Sequence, residues 1–506
     1  MRHDPPAASI LAAPAAPAAP AARAATAATP APAIPGGGGG AVLRLAQELA
    51  LKYLAGLADR PVGERVTLAE LRDRLALPLS ETGEDAAQVI RELAAGADPG
   101  LVGTAGPRYF GYVIGGSLPA ALGADWLTSA WDQNAGIYST SPAAAVVEEI
   151  AAAWLLDLLG LPATASVGFV TGCQMAHVTA LAAARHALLA RAGWDLADLG
   201  LDGAPPLRIL AGAEAHVTVF RALRLLGFGS RSVERIGVDS QGRMDARKLA
   251  RRLADEPGSG PRTLICAQLG DVNTGACDPL AEIAALARRH GSWLHVDGAF
   301  GMWAAASPRL RHLVEGVGLA DSWATDAHKW LNVPYDSGLA VVADPVAHSA
   351  AMTTSAGYLQ QHEGRDALDW VPEFSRRARG FAIYAALRSL GRRGVADMVE
   401  RCCGHAAAMA ARLAAEPGVE VMNDVVLNQV LVRFLPTPPD PRSADQLTRA
   451  IVRRVQRDGR CWLGGTVWHG VAAMRISVSN WSTSAADADT SAEAILDARR
   501  REVAGE

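Results

Sequence analysis

Three lysines stand among 48 basic residues, so by subtraction 45 are arginine. Where such a chain keeps a lysine, the chemistry of an amine is a better guide than its charge. A guanidinium neither loses its proton near neutral pH nor forms an imine, whereas an amine can do both. Lys52 lies in an amphipathic helical pattern and Lys248 in "DARKLARRLADE", and solvated surface positions account for both. Lys329, in "TDAHKWLNVPYDSG", follows the apolar run "ADSWATDAH". Burial there is expected to lower its pKa from about 10.4 towards a nucleophilic amine. On that segment alone two readings stay open, Schiff-base chemistry or a lysine reaching out to solvent from a turn.

Schiff-base chemistry with pyridoxal phosphate needs two further groups. One is a carboxylate against the pyridine nitrogen, which keeps the ring protonated and electron-withdrawing. Asp297, in "WLHVDGAFG", ends an apolar run 32 positions before Lys329 (329 minus 297), about one crossover unit away, so neighbouring strand ends could bring both to one mouth. An acid in that setting could equally cap a helix or bind Mg²⁺. The other need is a set of backbone donors for the phosphate. "FVTGCQMAHVTALAAAR" passes from a short apolar segment through Gly172 into a helical pattern, which aims the amides near Cys173 and Gln174 at an anion.

The elements that must hold these groups follow from the texture of the chain. Residues 1–40 are nearly all Ala, Pro, Thr and Gly and are expected to be disordered. An amphipathic helical segment over 41–105 comes next. From 106 to 345 helical patterns alternate with the short apolar runs "LRILAG", "RTLICAQLG", "SWLHVDG", "DSWATD" and "SGLAVVA", the signature of an α/β domain with a mostly parallel sheet. One helix has its limits written out, with Ser141 as N-cap, Pro142 at the first position and Gly160 as the stop. Beyond 346, longer arginine-rich helices and the alternating "MRISVSN" suggest a smaller α+β domain over 346–506.

The totals narrow the function. Half the residues are hydrophobic, 20% are charged and the net charge is -4, which gives no footprint for nucleic acid or an anionic membrane and leaves a small-molecule enzyme as the expectation. Six cysteines without CxxC spacing argue against a zinc site or a disulfide framework and suit a reducing, cytoplasmic setting. No charge-free apolar run of about 18 residues suggests a membrane span. There is no GxxxxGK[ST], HExxH or GxSxG.

Together, "DAHKWLNVPYDSG", "HVDGAFG", "TGCQMAHVTALAAAR", "AEAHVTVF" and "SRRARGFAIYAALRSLGRRGV" resemble the group II pyridoxal phosphate-dependent decarboxylases, which act on aromatic amino acids, glutamate, tyrosine or diaminobutyrate. The resemblance runs from about residue 45 to 495. It implies fold type I of the pyridoxal phosphate enzymes, the aspartate aminotransferase-like architecture: a large mostly parallel sheet with helices on both faces and a smaller C-terminal α+β domain. It also implies decarboxylation of an L-amino acid to its amine. Lys329 would carry the cofactor as an imine, Asp297 would hold the pyridinium, and Ala299 and His216 would cover its two faces. His328 and the amides of Cys173 and Gln174 would take the phosphate. Tyr358, 29 positions after the lysine (358 minus 329), matches the loop tyrosine that protonates Cα, where relatives with phenylalanine form aldehydes. Asn273 or Thr274 would replace the family's usual hydroxyl cluster against the departing carboxylate. Arg475 resembles the C-terminal arginine that meets a carboxylate in the glutamate branch of the family, and Tyr112 and Asn134 fall in the segment that lines the substrate pocket. The family builds its sites across a homodimer interface that the 41–105 segment wraps. An aminotransferase or aldol reaction, aldehyde-forming oxidation, or a cofactor-binding regulator without turnover are the rival readings.

Overall fold

The apolar runs become adjacent strands of one sheet. The computed structural model describes residues 39–256, 260–354, 364–436 and 442–505. Seven strands, β1 (Ser166–Val170), β2 (Arg208–Gly212), β3 (Val233–Ile236), β4 (Thr263–Gln268), β5 (Trp293–Asp297), β6 (Ser322–Asp326) and β7 (Gly338–Val342), lie in the order β1-β7-β6-β5-β4-β2-β3. Only β7 runs against its neighbours. Strands β4 to β7 are buried along their whole length, which is why they read as unbroken apolar runs and not as alternating ones. The indoles of Trp293 on β5, Trp323 on β6, and Trp303 and Trp330 in the segments that follow these strands are fully buried. A buried side chain of that size stabilises by roughly 2–3 kcal/mol over an exposed one.

Register sets the location of the site. Asp297 pairs with Gln268 of β4 and Ala324 of β6, while Val170 and Asp326 both pair with Gly338 at the start of β7. The C-terminal ends of β1, β4, β5 and β6 therefore open on one edge, where α/β sheets place their ligands. Six helices precede or follow that first strand: α1 (Gly39–Ala55), α2 (Leu68–Leu75), α3 (Ala86–Ala97), α4 (Pro119–Trp131), α5 (Pro142–Leu158) and α6 (Cys173–Arg191). Pro142 opens α5 and Gly160, at φ +68°, ends its turn, as expected. Ser141 stands at the N-cap but its side chain makes no capping bond.

Of the tail assigned to 1–40, residues 1–38 lie outside the described residues and Gly39 and Gly40 begin α1. The division at 345 cuts through a packed unit, because the helix Pro345–Met352 packs on α6 and the long helix Gly380–Ala414, kinked at Gly391, packs on α4 and α5. The smaller sheet is four-stranded and antiparallel, with β8 (Val419–Val421), β9 (Gln429–Phe434), β10 (Gly464–Trp468) and β11 (Val471–Ser477) in the order β10-β11-β9-β8. No helix among the described residues is long and apolar enough to cross a membrane.

Candidate active site

Strand β6 ends at Asp326, and the loop over 327–337 carries His328 and Lys329 before β7 turns back. Asn332 fixes that loop. It sits at φ +55°, a left-handed conformation that asparagine adopts more readily than most residues. Its buried side chain accepts the Gly116 and Trp481 N–H groups (2.6 and 3.0 Å) and donates to the Trp330 and Ser479 carbonyls (3.0 and 2.9 Å). One amide thus ties the lysine loop to the chain before α4 and to the turn after β11. Gly115 completes the fit, since any Cβ there would run into the Lys329 carbonyl oxygen.

Lys329 Nζ lies 3.0 Å from Asp326 Oδ2. Burial does pull the lysine pKa down, but the Asp326 carboxylate, helped by Cys173 and Asp297, more than offsets it, and the net shift is upward. The expectation of an amine readied by burial is therefore corrected. In this state Lys329 is held as an ammonium, and it becomes a nucleophile only by handing on a proton. The second oxygen of Asp326 accepts the Cys173 N–H at 2.5 Å and lies 3.4 Å from His328 Nε2. His328 Nδ1 accepts the Ser337 N–H (3.1 Å), and its ring stacks on Tyr335.

This changes the expected phosphate cradle. Gly172 caps α6 without a side-chain bond, and the Cys173 amide is taken by Asp326. The next two amides, of Gln174 and Met175, have no acceptor among the described residues. They are the open end of a helix of 19 residues, pointed where an anion is favoured.

Asp297 ends β5 at 4% exposure. Ala299 N–H donates to its Oδ1 (3.1 Å), and His177 Nε2 stands 3.4 Å from Oδ2. Burial favours the protonated acid, yet the hydrogen bond from His177 beside it and the Lys329 ammonium hold the carboxyl well below the usual carboxylate range. His216 caps the helix Val217–Leu225; its N–H donates to Gln268 Oε1 (3.1 Å) and its Nδ1 accepts the Thr218 N–H (3.4 Å). Its Nδ1 also lies 2.7 Å from the Thr218 hydroxyl, and burial lowers its pKa.

The remaining expected residues are more scattered. Thr274 is fully buried and its hydroxyl donates to the Gln241 carbonyl, so the structure does not bring it to the site. Asn273 receives the Thr466 hydroxyl on Oδ1 (3.0 Å) and is only partly buried. Asn134 is exposed and bonds along the 375–376 segment through Ser375 and the Arg376 N–H. Tyr112 is 63% exposed and stacks on Trp462, which also stacks on Tyr109. Arg475 is half-buried, with Asp271 and Tyr112 its nearest charged or phenolic influences; no hydrogen bond or ion pair holds its guanidinium among the described residues. Tyr358 lies outside the described residues.

A lysine amine, a buried acid kept ionised and open helix-terminal amides at one sheet edge are the donor set that pyridoxal phosphate requires for its aldehyde, ring nitrogen and phosphate. The pyridoxal-dependent decarboxylase conserved domain matches residues 69–435. The chain belongs to that family. Tryptophan decarboxylase 1 of Oryza sativa subsp. japonica is 27% identical over 463 residues, covering 87% of this chain and 89% of that protein. L-2,4-diaminobutyrate decarboxylase of Rhizobium meliloti (strain 1021) is 29% identical over 409 residues and 80% of each. The crystal structure of Oryza sativa TDC with PLP and tryptamine superposes with a TM-score of 0.86 over 93% of this chain and 99% of that one, at 24% identity, and so bears on the fold alone. This decarboxylase therefore uses pyridoxal phosphate to remove the carboxyl group of an L-amino acid.

Three contributors to the decarboxylase site carry no assignment from sequence: Asp326, His177 and Asn332. Asp326 and Asn332 stand inside the lysine motif, but nothing local says that one pairs with Lys329 or that the other is a buried anchor. His177 is four residues into a helix after a glycine, where a histidine has many ordinary uses.

Proposed function

We propose that the chain decarboxylates an aromatic L-amino acid to its amine and carbon dioxide, as a cytoplasmic homodimer. The observation that carries the substrate class is the aromatic wall formed by Trp462 between Tyr109 and Tyr112, with ring centroids 5.1 and 5.8 Å apart. Tyr112, the exposed member of the stack, offers a flat apolar face to a ring side chain. Beside it Arg475, whose guanidinium has no hydrogen bond or ion pair among the described residues, suits the substrate carboxylate. Lys329 would hold the cofactor covalently, the Gln174 and Met175 amides its phosphate, and Asp297 its protonated ring nitrogen. The bound cofactor supplies an electron sink for the pair left at Cα when carbon dioxide departs. On the family resemblance, Ala299 and His216 would keep the ring flat between them and Tyr358 would deliver a proton to Cα.

Purified holoenzyme offered aromatic, acidic and basic amino acids should favour the aromatic ones in kcat/KM by at least about a hundredfold. A preference for glutamate or diaminobutyrate would sink the substrate assignment. Following amine and hydrogen peroxide together also tests the tyrosine. Tyr358→Phe is expected to lose amine formation by about a thousandfold with cofactor loading intact, and to divert residual turnover, with dioxygen as oxidant and water as co-reactant, to aldehyde, carbon dioxide, ammonia and hydrogen peroxide. Undiminished amine formation by that variant would remove Tyr358 from the mechanism.

The homodimer is supported by the N-terminal helices. No residue of α1 or α2 is buried, and Leu43, Leu51, Leu68, Leu75, Val89 and Leu93 of α1 to α3 stand exposed, an apolar surface that a second copy would cover. Analytical ultracentrifugation should find a dimer at micromolar concentration. A fully active monomer would contradict the reading.

A further inference from the structure

Behind Asp297 runs a line of buried hydrogen bonds that the decarboxylation scheme does not yet use. Trp293 Nε1 donates to Ser322 Oγ (2.9 Å). The hydroxyl proton of Ser322 then has one partner among the described residues, His295 Nδ1, at 2.9 Å. His295 must accept there, so its own proton sits on Nε2, 2.9 Å from His177 Nδ1. His177 accepts in turn, and its proton is left on Nε2, facing Asp297 Oδ2 at 3.4 Å and Cys173 Sγ at 3.4 Å. His177, His295 and Ser322 are wholly excluded from solvent. The opposite ordering, with a charged His177 donating to both sides, would leave the Ser322 hydroxyl proton without an acceptor. Burial also holds His295 well below its usual pKa, which agrees with a neutral ring.

We propose that His177 is a positioning residue: aimed by His295 and Ser322, its Nε2–H holds the Asp297 carboxylate ionised and turned towards the cofactor's ring nitrogen. The inference rests on the roles given above to Lys329 and Asp297. Its physical ground is that, among the described residues, Asp297 is buried without an arginine and has only the Ala299 amide and this imidazole as close nitrogen donors. Without the imidazole, burial would move the proton from the ring nitrogen onto the acid. Cys173, His177 and Asp297 also lie close enough together to share a cation. The tautomer imposed by Ser322 puts a proton in that space, so a metal would have to reverse the whole line.

The test uses holoenzyme loaded with ¹⁵N-labelled pyridoxal phosphate, whose ring-nitrogen chemical shift reports protonation directly. Wild type should show a protonated ring nitrogen. His177→Leu should move the signal towards the unprotonated pyridine, weaken cofactor affinity about tenfold, and lower kcat about tenfold or more with KM within twofold. His177→Gln, which keeps a donor near the Nε2 position, should recover most of both. Ser322→Ala, two links away, should shift the signal in the same direction by less, and it stands as the deciding variant if His177→Leu does not fold. An unchanged ring-nitrogen signal and kcat in His177→Leu, or in Ser322→Ala where that variant decides, would overturn the proposal; so would stoichiometric zinc in cofactor-free wild type. A wild type with no cofactor on Lys329 or with an unprotonated ring nitrogen would instead overturn the reading on which it rests.

Discussion

Lys329→Ala should give a protein from which borohydride recovers no pyridoxyl-peptide and whose kcat/KM is down by about four orders of magnitude or more, some 5–6 kcal/mol of transition-state stabilisation. The same change should cost stability. Asp326 is nearly fully buried and its Oδ2 faces the lysine ammonium at 3.0 Å. Removing the cation leaves a buried carboxylate with, among the described residues, only the Cys173 amide and His328 for support, a loss of about 3–5 kcal/mol for a broken buried pair. The two effects can be separated. Adding Asp326→Asn to Lys329→Ala should restore most of the thermal stability, because a neutral amide tolerates burial better than an unpaired carboxylate. It should restore none of the activity, because no amine is present. A Lys329→Ala protein that still forms amine, or that traps pyridoxal on another side chain, would remove the central residue of the mechanism.

The second large effect concerns Asp297. Asp297→Asn keeps the shape of the side chain and the contact with the Ala299 N–H, so borohydride trapping at Lys329 should survive. Its amide carries no negative charge, and cannot hold a proton on the ring nitrogen. The cofactor then loses most of its power to accept the electron pair from the broken Cα–carboxyl bond, and kcat should fall by about a thousandfold, roughly 4 kcal/mol. Activity within tenfold of wild type would show that ring protonation is not what this site provides.

Much of this was open to reading from the chain alone. The five apolar runs quoted in the sequence became β2, β4, β5, β6 and β7, because a strand buried on both faces leaves an unmistakable local record. Lys329 and Asp297 were legible for a related reason: each stands at the polar end of such a run, and the scarcity of lysine made one of them conspicuous. Strand β1 was visible only as an apolar segment before Gly172, and β3, short and half polar in "VERI", left no signal to read.

What the amino-acid order determined by itself was the class of chemistry: an amine that could be spared nowhere else, an acid one crossover away, and a glycine opening a helix. What only the tertiary structure decided was the electrostatic state of those groups. Burial alone argued for a lowered lysine pKa, but Asp326, at the end of the strand before the loop, reversed it once the loop folded back over that strand end. Cys173 and Asp326 are 153 residues apart and His177 and His295 are 118 apart, yet each pair shares a hydrogen bond. Such pairings depend on which strand ends the sheet order sets side by side, and charge interactions at 3 Å in a buried setting are too strong and too short-ranged for spacing along the chain to reveal.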